Sequence, residues 1–89
     1  MTMRERIEAG LARALAPTDL KVVDESHLHA GHAGARAGGQ SHFRIHVVAS
    51  AFAGKGRIER HRMIYAALAQ EIADGVHALA LDAKAPGEG

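Results

Sequence analysis

Residues 42–83 read HFRIHVVASAFAGKGRIERHRMIYAALAQEIADGVHALALDA. The first eight alternate, with Phe43, Ile45 and Val47 on one side and His42, Arg44 and His46 on the other, the period of a half-buried strand. Gly54 and Gly56 then mark a turn. A helix is expected from about Arg57 to Ala73, with Gly75 just past its end as a C-terminal cap. Val76 to Ala83, VHALALDA, returns to strand, with His77, Leu79 and Leu81 on one face. A strand–helix–strand crossover is right-handed, so the last strand is expected to join the sheet parallel to the first. This reading decides the fold.

Upstream, Leu20 to Glu25 reads as another strand, pairing with residues 42–49 as an antiparallel hairpin. Ser26 to Ser41 forms its long tip, and loops of that length are often functional. Before the hairpin, Thr2 and Glu5 fit a capping box. Ile7, Leu11 and Leu15 follow at four-residue spacing, and Pro17 stops this helix. Gly10 weakens it by ~1 kcal/mol relative to alanine. On a 100° wheel Ile58, Tyr65, Leu68 and Ile72 share one face of the second helix, which is taken as the buried one. The order α-β-β-α-β describes a two-layer α+β fold, a three-stranded mixed sheet with helices on one face. Residues 1–86 make one domain and residues 87–89 a frayed tail.

Composition narrows the function. Eighty-nine residues, 47% hydrophobic and 24% charged, suit one globular domain. The formal net charge of +1 gives no overall electrostatic case for nucleic-acid binding, so only a local patch can carry it. The absence of cysteine removes disulfides, a thiolate nucleophile and a thiolate metal ligand. Arg4, Glu5, Arg6 and Glu8 interrupt the N-terminus where a signal peptide would be apolar, and no stretch is apolar enough to span a membrane. A cytoplasmic protein is expected. There is no serine or cysteine nucleophile motif, phosphate loop or usefully spaced carboxylate pair, so the chain is not expected to be an enzyme.

Seven histidines remain as candidates. Three fall in HLHAGH, as His27, His29 and His32. They fit a self-contained zinc or nickel site, half of a shared site, or a solvated loop. Their i, i+2, i+5 spacing on a glycine-bearing segment is poorly preorganised for the first. His77 reads either as a ligand or as a strand-end ring packed beside Leu79. His61, in the middle of the assigned apolar face, is expected to be a buried structural residue. His42 and His46 are expected half-exposed on the opposite side of the strand from Phe43 and Ile45.

Lys55, Arg57, Arg60 and Arg62 gather at the start of the second helix, where basic side chains and the helix N-terminus attract phosphate. The alternative is a solvated helix start with a local Glu59–Arg62 pair, which makes nucleic-acid binding the secondary hypothesis. Gly54-Lys55-Gly56 is one residue short of the Gly-x-x-Gly clamp of a KH domain. Four basic residues without exposed aromatics would bind weakly and with strong salt dependence.

The segments VVDESHLHAGH, SHFRIHVVASAFAGKGRIERHRMIYAALAQEI and VHALALDAKAP resemble the BolA family from about Ile7 to Pro86. After Pro86 this chain has Gly87-Glu88-Gly89, where relatives usually continue with an acidic residue and Trp. The resemblance implies a fold similar to the class II KH domain. It also implies a monothiol glutaredoxin partner of the Cys-Gly-Phe-Ser type and a [2Fe–2S] cluster bridged between the two proteins. On that pattern His77 matches the C-terminal cluster ligand and His29 the loop ligand, with His32 next and His27 last. The thiolates would come from the glutaredoxin cysteine and a glutathione, which suits a chain without cysteine. The family also includes proteins described as DNA-binding regulators, for which the turn and helix bearing Lys55, Arg57, Arg60 and Arg62 are the proposed contact. The free chain is expected to be a monomer that does not bind membranes.

Overall fold

The computed structural model describes residues 1–25 and 42–88. Helix α1 spans Met3–Leu15, strand β1 Asp19–Asp24 and strand β2 His42–Val48. A 3₁₀ turn at Ser50–Phe52 leads to α2, Arg57–Ala67, and α3, Ala69–Ala73, before β3, Ala78–Lys84. The sheet order is β1-β2-β3, with β1 antiparallel and β3 parallel to β2. The α+β reading, the hairpin and the crossover therefore all hold.

Local chemistry sets each element. The Thr2 hydroxyl accepts from the Glu5 amide at 3.1 Å, and Glu5 accepts from the Thr2 amide at 2.8 Å, closing the capping box. This backbone hydrogen bond also lowers the Glu5 carboxyl below its ordinary value. The helix ends where Ala16 takes a left-handed conformation, φ 45°, just ahead of Pro17.

Ile7, Leu11 and Leu15 bury one face of α1, and Phe43, Ile45 and Val47 bury the matching face of β2. Phe52, Ile64 and Leu68 complete the centre of this core. Gly10 sits where α1 crosses the end of α2. A Cβ there would lie 3.4 Å from Leu68 Cδ2 and 3.6 Å from the Ala67 carbonyl, so the glycine permits a close helix approach. Arg6 fastens the same crossing, donating to Glu71 at 3.1 Å and to Asp74 at 2.6 Å. The hydrogen bond from Arg6 holds the Asp74 carboxyl below its usual range.

Three sequence expectations are corrected. The second helix is interrupted at Leu68, which leaves helical geometry at φ −108°, ψ 18°, before α3 resumes. Its buried face is also rotated from the wheel assignment. Leu68, 1% exposed, is buried as assigned and Ile72 packs against the core, but Ile58 is 70% and Tyr65 44% exposed, whereas Ile64, off the assigned face, is 0% exposed. The cause is Arg60, which is four residues before Ile64 and shares its stripe, so hydrophobicity alone pointed to the wrong side. His61 consequently leaves the core and is half-buried, beside Gly56, Arg57, Ile58 and Glu59 around an open depression.

The third correction concerns the end of the chain. Glu88 is not frayed: its carboxylate accepts from Arg60 at 2.6 and 2.8 Å and from the Ala85 amide at 2.9 Å.

Candidate functional site

The end of the sheet where β2 begins carries the candidate ligands. Gly75, at φ 131°, turns the chain out of α3 with a backbone that L side chains rarely adopt. The Val76 amide then bonds the Glu71 carbonyl at 3.2 Å while the Val76 side chain enters the core. His77 comes next, exposed, one residue ahead of β3 rather than inside it as the sequence suggested.

Parallel pairing of β2 with β3 sets His42 opposite Ala78. The His42 ring thereby lies beside that of His77, with centroids 6.4 Å apart and planes tilted by 35°. On the other side of β2, the Glu25 amide donates to the His42 carbonyl at 2.8 Å. The chain therefore enters and leaves residues 26–41 at the same end of the sheet as His77. His27, His29 and His32 lie outside the described residues.

His42 is the residue that sequence reading passed over. Alternation correctly gave it a half-exposed place on the sheet, but the neighbour that matters is on another strand. Aligning the apolar positions Phe43 and Leu79, which are register partners, would have revealed the proximity.

The remaining histidine of β2 serves a different purpose. His46 lies across the open face of the sheet, with Nδ1 2.7 Å from Asp82 of β3 and Nε2 3.3 Å from Asp19 of β1. One imidazole thus links all three strands. Arg44 lies one pleat away on the same face and donates to Glu25 at 2.9 Å. No group of three or more histidine, aspartate or glutamate side chains is arranged to hold a metal among the described residues.

The basic cluster divides. Arg60 is turned inward, with its side chain 12% exposed. It donates to the Lys55 carbonyl at 2.8 Å, the Ala83 carbonyl at 3.1 Å and both oxygens of Glu88. Its guanidinium carbon stands 5.9 Å from the centre of the Phe52 ring. These contacts make Arg60 a structural residue, not an available phosphate ligand. Lys55 faces Glu59 at 3.8 Å, so that pair replaces the expected Glu59–Arg62 pairing. Arg57 and Arg62 remain exposed.

The donor chemistry is that of half a site. His77 offers an exposed imidazole, and the chain has no thiolate to add. Such a set fits a metal group shared with a partner that brings the softer ligands.

Comparison with known proteins agrees with this architecture. The family model described as BolA-like protein matches residues 11–88. A Sinorhizobium protein described as uncharacterised, in the cobS 5′ region, is 47% identical over 99% of this chain and 96% of its own length. The DNA-binding transcriptional regulator BolA of Escherichia coli (strain K12) is 48% identical over 91% of this chain and 73% of its own. Among solved structures, the BolA domain of SufE1 from Arabidopsis thaliana superposes with a TM-score of 0.89 at 40% identity, covering 100% of this chain and 98% of that one.

Proposed function

This chain belongs to the BolA-like family, and from that premise we propose that it is a non-enzymatic adaptor that pairs with a monothiol glutaredoxin and shares a bridging [2Fe–2S] cluster with it. The observation that carries the reading is the position of His77. It is exposed at the point where the backbone hydrogen bond from Glu25 to His42 brings both ends of residues 26–41 together. His29 stands four residues beyond Glu25, a chain reach of up to about 14 Å. We assign His77 as one ligand and a histidine of that segment as the other, His29 first and His32 second. The partner's cysteine and a glutathione supply the thiolates that this chain lacks.

What the chain contributes is a rigid base for His77 and exclusion of any thiolate of its own. A set of two imidazoles and two thiolates raises the potential of such a cluster relative to four thiolates. That suits a role in iron–sulfur trafficking or iron-status signalling in the cytoplasm, with the free chain a monomer. Among the described residues no helix is long and apolar enough to cross a membrane. The test is to mix the chain with a cluster-loaded monothiol glutaredoxin and record visible circular dichroism. A new spectrum that His77→Ala abolishes supports the assignment, and an unchanged spectrum in His77→Ala contradicts it.

A second reading is DNA-binding regulation, favoured by the exposed Arg57 and Arg62 at the start of α2 and by the description of the Escherichia coli relative. The contact set would be Arg57 and Arg62 with Lys55, Arg60 being engaged elsewhere. Fluorescence anisotropy with promoter duplexes at two salt concentrations tests it. Absence of binding at low salt would reject it.

A further inference from the structure

Arg60 divides its N–H donors between two directions. Inward, Nε donates to the Lys55 carbonyl at 2.8 Å and Nη1 to the Ala83 carbonyl at 3.1 Å. The buried Phe52 ring backs the guanidinium, whose carbon lies 5.9 Å from the ring centre. These anchors belong to the backbone and the core, so none of them depends on what the outer edge holds. Outward, Nη1 and Nη2 meet the two carboxylate oxygens of Glu88 at 2.6 and 2.8 Å. The Ala85 amide donates to the same oxygen as Nη1, at 2.9 Å. A guanidinium fork joined by a backbone amide recognises the paired oxygens of a carboxylate or a phosphate.

The occupant is more accessible than its socket. The Arg60 side chain is 12% exposed and that of Glu88 44%. Glu88 is carried on a short turn, closed by its own amide bonding the Ala85 carbonyl at 3.1 Å, with Gly87 at φ 89°. Rotating one glutamate side chain outward opens the edge and leaves every inward anchor of Arg60 in place. We propose that Arg60 and the Ala85 amide form an oxyanion socket whose external ligand is a phosphate dianion, and that Glu88 is its built-in competitor.

Charge selects the ligand. Lys84, at the end of β3, adds to the positive field that acts on Glu88. Inorganic phosphate or a terminal monoester carries more negative charge near pH 7 than a carboxylate, and gains more from that field. A carboxylate tethered by a short segment competes at an effective concentration of about millimolar. Phosphate therefore enters where it is concentrated, or where residues 85–88 are drawn away. The proposal rests on neither reading of the function given above, since it involves no histidine and neither Arg57 nor Arg62.

The experiment uses the full chain alone near pH 7, without glutaredoxin or DNA. Inorganic phosphate, glycerol phosphate and acetate are each titrated against sodium chloride at matched ionic strength. The Arg60 Nε–H and Ala85 amide signals are followed by ¹H–¹⁵N correlation spectra. In Glu88→Ala both signals should move saturably with phosphate, and adding Arg60→Lys to that variant should abolish the response. In wild type Glu88 leaves a minor fraction of sockets open, so the dissociation constant for phosphate should be at least about tenfold higher. Glycerol phosphate moving the same signals assigns the ligand to a monoester, and a response to inorganic phosphate alone assigns it to the free ion. Because Glu88→Ala also loses the clasp, melting temperature in the same salts is a second readout. Phosphate should raise it more in Glu88→Ala than in wild type. Arg60 and Ala85 signals unmoved by phosphate in folded Glu88→Ala, or no excess rise in its melting temperature, would overturn the proposal. An equal response to acetate would overturn the assignment to phosphate.

Discussion

Arg60 of α2 and Glu88 beyond β3 are joined by two parallel hydrogen bonds, of 2.6 and 2.8 Å. This forked pairing is the strong geometry of guanidinium with carboxylate. Arg60 also donates to the carbonyls of Lys55 and Ala83, so one side chain connects the turn before α2, the end of β3 and the segment after it.

The clasp should respond to acid. The Arg60 hydrogen bonds, with one from the Ala85 amide, pull the Glu88 carboxyl from 4.5 to about 2. A carboxyl lowered on folding contributes its stability fully above the ordinary value and loses it as pH falls through the lowered one. Glu88→Gln should therefore unfold at a lower temperature than wild type at pH 7. The difference should shrink as pH falls below about 4.5 and be nearly gone near pH 2. Melting curves across that range check the sign, and a gap independent of pH would show that the ion pair is not its source.

Orientation of α2 can be tested by two truncations. Ile64→Ala removes a fully buried side chain and should cost about 2–5 kcal/mol. Ile58→Ala removes one that is 70% exposed and should stay within about 0.5 kcal/mol. Urea unfolding distinguishes the observed face from the one the helical wheel indicated, which predicts the opposite ranking.

At the α1–α2 crossing, Gly10→Ala places a methyl 3.4 Å from Leu68 Cδ2, at the tight end of ordinary contact. The gain in helix propensity, up to about 1 kcal/mol, should outweigh it and raise stability. Gly10→Leu has no space beside Leu68 and Ala67 and should lose about 1–3 kcal/mol. Thermal unfolding of the two variants reads both signs.

For nucleic acid, the inward position of Arg60 separates two effects. If duplex DNA binds at the start of α2, Arg57→Ala and Arg62→Ala should each weaken it uniformly and reduce the salt slope by about one. Arg60→Ala should instead lower the melting temperature, leaving the salt slope of the folded fraction unchanged. Anisotropy titrations at two salt concentrations, paired with melting curves, provide both readouts.

The hairpin and crossover were legible because β2 alternates cleanly and a crossover has only one favoured hand. The capping box and the Ile7–Leu11–Leu15 stripe were legible for the same local reason. What escaped were relations carried by distant parts of the chain. Arg60 occupies a buried stripe only because Glu88, the Ala83 carbonyl and the Phe52 ring receive it, and no periodicity in α2 announces those partners. The His42–His77 pair depends on strand register, which alternation within one strand does not reveal. The break at Leu68 lies where the helix meets Gly10 of α1, a contact between distant parts of the chain, whereas the local sequence reads as continuous helix.

The central claim is that this chain supplies histidine nitrogen, through His77, to a cluster whose thiolates come from a partner. Its most direct test is pulsed electron paramagnetic resonance of the reduced mixed complex with a monothiol glutaredoxin, using chain labelled with ¹⁵N at histidine. The account predicts two strongly coupled histidine nitrogens, one of which disappears in His77→Ala. A reduced cluster with no histidine coupling, or with couplings unchanged by His77→Ala, would contradict it.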